Sequence, residues 1–214
     1  QVHFPREKYN PIQVINYILN RDFNLNNRWT KACAIHMAAF MPDFRVSRGL
    51  AAQVFNHDRL LQETAAWVIF NKDKKSFQGL RDRLPPRDKK FLDNSIEDNQ
   101  LLDGLDDGFF LGIETVMFLK TVHVFRNIQG SFLCDLADKV QPIDLLPGEF
   151  LKFKSNDHNS PLFIVAHGKV QLRNEDVVVG DLEKGDVYGD LFQDGPAPAA
   201  TALTATDRAV VFKI

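Results

Sequence analysis

The periodicity of this chain changes near its middle, and that change constrains the fold more than any other feature. Up to about Leu84 apolar residues recur at helical spacing, and Trp29-Thr30-Lys31-Ala32-Cys33-Ala34-Ile35 superposes on Leu61-Gln62-Glu63-Thr64-Ala65-Ala66-Trp67, small on small and large on large. Repeated small residues let neighbouring helices approach closely, which stacked helical hairpins require. The spacing predicts helices over 27–40 and 44–55, separated by Pro42-Asp43, then over 59–70 with Asp58 as cap and 74–84 with Pro85-Pro86 as a stop. Residues 87–108 are charged and broken by glycines, so they read as a helical connector with loops. Beyond it Ser131 is expected to cap a helix whose Phe132, Leu133, Leu136, Ala137 and Val140 share one face, with Gln141-Pro142 ending it.

The second half reads differently. Strands are expected over 150–154 and 162–166, and as a closing strand over 209–214. Around them stand Pro147-Gly148-Glu149, Asn156-Asp157, Gly168-Lys169-Val170, and Val177-Val178-Val179 with Leu182 and Gly185-Asp186, and Asn156 suits a turn because asparagine enters the left-handed region more easily than most residues. The fold class is therefore α+β in two domains, with 1–108 helical and 109–214 built on strands.

The stretch Gly185-Asp186-Val187-Tyr188-Gly189-Asp190-Leu191, followed by Ala197-Pro198-Ala199-Ala200-Thr201, resembles the phosphate-binding segment of the cyclic-nucleotide-binding family. The preceding turns arrive in that family's order, Phe118 to Phe125 is similar to its lead-in helix and turn, and the resemblance covers roughly 116–214. It implies a β-roll of the double-stranded β-helix or jelly-roll type with flanking helices. It also implies a pocket in which a Phe-Gly-Glu turn opens a short helix, the glutamate accepts the ribose hydroxyl, and an arginine holds the cyclic phosphate. Helix amides and a planar guanidinium suit an anion for general reasons.

Both polar contacts differ here. Tyr188-Gly189-Asp190 carries a side chain one methylene shorter, and Pro198 stands where the arginine is expected. Proline offers neither charge nor donor. Because a charge-assisted hydrogen bond contributes about 1.5–3 kcal/mol, binding of cAMP or cGMP is expected to fall by orders of magnitude. The altered pocket comprises Gly189, Asp190, Leu191, Pro198, Ala199, Ala200 and Thr201, with no cofactor; Arg208, Lys169 and Arg173 are the cations that could in principle replace the arginine. In the family, helices after the closing strand cover the ligand, and the sequence ending at Ile214 is a second reason to expect no cAMP switch.

Composition narrows the remaining classes. A chain of 214 residues, 44% hydrophobic and 25% charged, suffices for two cores. Net charge of −2 without a basic block argues against a nucleic-acid partner. His3, His36, His57, His123, His158 and His167 are scattered, and no zinc-ligand spacing or phosphate-binding lysine loop is present, so neither metal nor enzyme is expected. Asp106-Asp107 and the pair Glu183 with Asp186 read as turn or capping residues, and Arg81-Asp82-Arg83 as a helix-end cluster. Cys33 and Cys134 fall on apolar helical faces and read as reduced, buried thiols. No stretch matches the ~20 apolar residues of a membrane span.

The helical half resembles HEAT-type repeats over roughly 9–84. HEAT-like hairpins followed by a cyclic-nucleotide-like domain resemble the cytosolic C-terminal region of bacterial proteins related to ATP/ADP carriers, and a chain beginning at Gln1 fits excision from such a parent. The resemblance implies a regulatory region on the cytoplasmic side of the inner membrane. Its partners are the membrane domain of the same parent and a protein on the helical-repeat face. The alternative is a free-standing cytosolic cyclic-nucleotide receptor with a remodelled pocket.

Overall fold

The computed structural model describes residues 10–20, 28–41, 44–102, 111–153, 161–189 and 202–214. By contact the chain divides into two compact units, Gln1–Thr115 and Val116–Ile214, against a division at 108/109 suggested by the sequence.

The described residues of the first unit are mainly helical: α1 (Pro11–Asn20), α2 (Arg28–Ala38), α3 (Arg48–Gln53), α4 (Arg59–Lys72), α5 (Lys74–Arg81) and α6 (Pro86–Leu102). Helix α4 is buried around most of its circumference and packs against α2, α3, α5 and α6. Ala34 on α2 and Ala66 on α4, the alanines that the self-superposition pairs, are both buried, as are Ala32 and Thr64, which it also pairs. Asp58 caps α4 as expected, accepting from the Leu60 and Leu61 amides at 3.0 and 3.4 Å, and its carboxylate also meets Arg28 at 2.7 Å.

Several boundaries differ from expectation, and two of the differences have clear local causes. Helix α3 begins at Arg48 instead of 44, because the Ser47 hydroxyl accepts the Leu50 amide at 3.2 Å and fixes the start there. Helix α5 stops at Arg81, capped at Asp82, ahead of the expected end at 84, and Pro85-Pro86 instead opens the next helix: Pro86 takes the first position of α6, where a missing N–H costs nothing, and the Pro85 carbonyl accepts from Asp88 and Lys89. Ion pairs then hold α6 to its neighbours, Arg59 with Asp88 at 3.0 Å and Arg81 with Asp93 through two bonds of 2.5–2.6 Å.

The described residues of the second unit form eight strands: β1 (Gln141–Leu145), β2 (Phe150–Lys152), β3 (Phe163–His167), β4 (Lys169–Asn174), β5 (Val177–Glu183), β6 (Val187–Tyr188), β7 (Ala202–Ala205) and β8 (Ala209–Lys213). They form two four-stranded sheets in the orders β1-β8-β3-β6 and β2-β7-β4-β5. Every pairing is antiparallel, and chain neighbours are distributed between the sheets, which makes this a double-sheet roll. That is the architecture the cyclic-nucleotide-binding resemblance implies. Leu145, Phe163, Val165, Val170, Leu172, Leu203 and Val211 fill the space between the sheets. Strand β8 lies inside its sheet, between β1 and β3, and is buried from Ala209 to Phe212.

Helices α7 (Gly112–Thr121) and α8 (Gly130–Ala137) precede the strands. Phe118 of α7 meets Phe212 of β8 edge-on at 5.7 Å, covering that side of the first sheet. The sequence reading of α8 needs three corrections. Ser131 does not cap it; Gln129 holds the cap position without a side-chain bond. Phe132 is 65% exposed, while Leu133 and Cys134 are the buried pair, so the apolar face is narrower than the spacing suggests. Gln141-Pro142 does not end the helix, which stops at Ala137; the two residues open β1, an edge strand where proline is tolerated.

Candidate functional site

The site begins where β6 leaves its sheet. Two backbone bonds fix the approach: the Gly185 amide donates to the Val165 carbonyl at 2.8 Å and the Val165 amide to the Asp186 carbonyl at 3.0 Å. Gly185 has φ +93°, a conformation that suits glycine, so the turn before β6 depends on its missing side chain. Asp186 serves that turn too, its carboxylate accepting the Glu183 amide at 2.8 Å, while Glu183 pairs with Lys169 at 2.5 Å. Asp186 is thus a turn residue, as expected, whereas the side chain of Glu183 is in an ion pair that the turn or capping reading did not include.

Strand β6 then sets Val187 opposite Ile164 and Tyr188 opposite Phe163. Tyr188 is buried, with its ring 5.4 Å from Phe153, which in turn lies 5.0 Å from Phe163. This aromatic trio fills the interior beneath Gly189. Each ring sits in a segment read as strand or turn from sequence, but their meeting was not foreseen, because it brings together two strands of one sheet and the residue that follows β2 in the other. Gly189 passes so close to β3 that a Cβ would lie 3.0 Å from Leu162 Cδ1 and 3.4 Å from its Cα. A larger residue at 189 would therefore require the Leu162 side chain to give by a few tenths of an ångström.

Of the sequence-predicted pocket, Gly189 is the residue placed by the structure; Asp190, Leu191, Pro198, Ala199, Ala200 and Thr201 lie outside the described residues, as do Asn156-Asp157 and Asp106-Asp107. Among the three cations that could replace an arginine, Arg208 holds Asp144 through bonds of 3.2 and 2.7 Å, and Lys169 holds Glu183. Each carboxylate raises its partner's pKa through that hydrogen bond. Arg173 reaches the Gln171 amide oxygen at 3.3 Å. All three are thus engaged along the sheets.

Elsewhere, His36 is buried between Trp67, stacked at 5.8 Å, and Phe40, edge-on at 5.2 Å. Burial lowers its pKa. Burial also pushes the Cys33 thiol up to about 11, so it stays protonated and poorly nucleophilic at neutral pH. Cys33 and Cys134 are both free thiols, Cys33 half-buried and Cys134 buried. Among the described residues there is no group of three or more His, Cys, Asp or Glu placed to hold a metal ion, and no helix is long and apolar enough to cross a membrane.

No family model matches the chain. Over 102 residues it is 29% identical to a cyclic nucleotide-gated channel of Caenorhabditis elegans, a match covering 45% of this chain and 14% of that protein. The chain therefore spans a small part of that relative's length. Solved structures with some likeness include the regulatory domain of Toxoplasma gondii PKA with cAMP, at 17% identity over 53% of this chain and 46% of that one, with a TM-score of 0.40. A cyclic nucleotide-binding-like protein from Brucella abortus is 20% identical over 46% and 88% of the two chains, with a TM-score of 0.36. The regulatory subunit of a cAMP-independent protein kinase A from Trypanosoma brucei is 20% identical over 57% and 42%, with a TM-score of 0.38.

Proposed function

We propose that this chain is a non-catalytic regulatory region in which a helical, HEAT-like segment precedes a roll of the cyclic-nucleotide-binding type with altered phosphate contacts. The observation that carries the reading is Tyr188-Gly189 at the end of β6, anchored beneath by the Phe153–Phe163–Tyr188 aromatics and seated against Leu162. A glycine held in close approach at the end of a strand is what the ligand-cradling turn of that family requires. The connection that starts there carries Asp190 and Pro198 in place of glutamate and arginine, which removes the fixed positive charge a cyclic phosphate needs. Lys169 and Arg208, already paired with carboxylates, do not replace it.

The relative's name joins cyclic nucleotides to a membrane channel. For this chain we extend the membrane half of that pairing: the parent is a transporter of the ATP/ADP carrier type, and the region acts from its cytoplasmic side on the membrane domain or on a protein docked to the helical face. This part rests on the order of the segments in the sequence.

Equilibrium dialysis of the unaltered chain against cAMP, cGMP and cyclic dinucleotides tests the proposal. No retention at micromolar ligand is the expected result. Saturable retention of any of them restores the reading of a true cyclic-nucleotide receptor.

A further inference from the structure

The four edges of the two sheets are not equivalent. Strand β1 carries Pro142, β6 is two residues long and β2 is three, all of them blunted in the ways that keep edges from pairing. Strand β5 has seven residues and pairs with β4 alone. Among the described residues, no backbone group outside β4 bonds to residues 177–182. Its start is apolar and open, with Val177 64% and Val178 41% exposed. Exposed Asp181 and Glu183 follow on the strand, and exposed Asp176 stands just before it.

We propose that β5 is a docking edge for an extended segment of another protein that alternates basic and aliphatic residues, adding to β5 as a further strand of its sheet. The backbone of such a segment completes the ladder left open on β5, its aliphatic side chains cover Val177 on the face shared with Gly180 and Leu182, and its cations meet Asp181 on the opposite face. Charge selects against a second copy of this chain, because β5 contains two acids and no base, and a β5–β5 pairing sets acids together without a counter-charge. The register shift between Leu172 and Arg173 twists the hairpin and limits the ladder to part of the strand.

The test uses the whole chain and a peptide of alternating lysine and valine as long as β5, with two controls: the same peptide N-methylated on alternate amides, and one with glutamate for lysine. Binding is read by fluorescence anisotropy, and the site by amide hydrogen exchange at 177–182. The inference predicts saturable binding of the lysine peptide with slowed exchange in β5, a loss of about tenfold or more for each control, and a several-fold loss with Asp181→Lys. Equal binding of the N-methylated peptide would reduce the effect to surface charge and overturn strand addition. Absence of binding, exchange unchanged at β5, or protection that rises with protein concentration without peptide each overturns it as well.

Discussion

Gly168 meets a requirement that other residue types do not. Its φ is +74°, and a Cβ there would stand 2.3 Å from the Arg208 carbonyl oxygen, inside any allowed contact. The left-handed conformation alone costs a larger residue about 1–2 kcal/mol, and displacing the β8 lead-in adds to that. Gly168→Ala is therefore expected to lower the unfolding free energy of the roll, read by denaturant titration, by more than this amount; an unchanged midpoint would remove the steric account. His36 makes a pH-dependent counterpart in the helical unit. Its pKa in the fold lies below the ordinary imidazole value of about 6.5, because burial against Trp67 and Phe40 disfavours the cation. The unfolded chain then binds the proton first, so the contribution is complete above about pH 6.5 and is lost as pH falls through the folded-state value. Urea midpoints taken from pH 7.5 down to 5 should fall, and His36→Leu should flatten the dependence; an equal slope in both chains would assign it to other groups. Gly168 was legible in the sequence as a turn glycine, whereas the burial of His36 was not, since a lone histidine on a helix gives no sign of what stacks on it.

At the scale of elements, β8 carries the roll because it is bonded on both sides. Phe212 is fully buried, opposite Pro142 on one flank and Ile164 on the other, with Phe118 edge-on above it. Phe212→Ala should cost about 3–5 kcal/mol, whereas Phe132→Ala, on the exposed face of α8, should stay within about 0.5 kcal/mol. Comparable losses in chemical denaturation would mean that Phe132 is covered by something the fold does not supply. The strands themselves were readable, because glycine turns and alternation mark them locally. Their order in the sheets was not, since β1 with β8 and β2 with β7 pair the two ends of the unit and no local pattern records that. The α8 to β1 passage misled for the opposite reason. Apolar spacing continued past the helix end, and Pro142 looked like a helix stop when it marks an edge strand.

Across the whole molecule, a helical unit and a roll each hold a buried core. Helices and antiparallel sheets were both expected, the helices from the periodicity of the first half and the roll as what the cyclic-nucleotide-binding resemblance implies. What the sequence proposed for the pocket rests on residue types more than on shape: Gly189 lies against Leu162, and the proposed chemistry depends on Asp190 and Pro198. The most direct measurement is a calorimetric titration with cAMP of the unaltered chain beside one carrying Asp190→Glu and Pro198→Arg. Micromolar binding by the restored chain with silence from the unaltered one is the predicted result; binding by the unaltered chain, or silence from both, contradicts the reading of a cyclic-nucleotide-type roll that has lost its phosphate contacts.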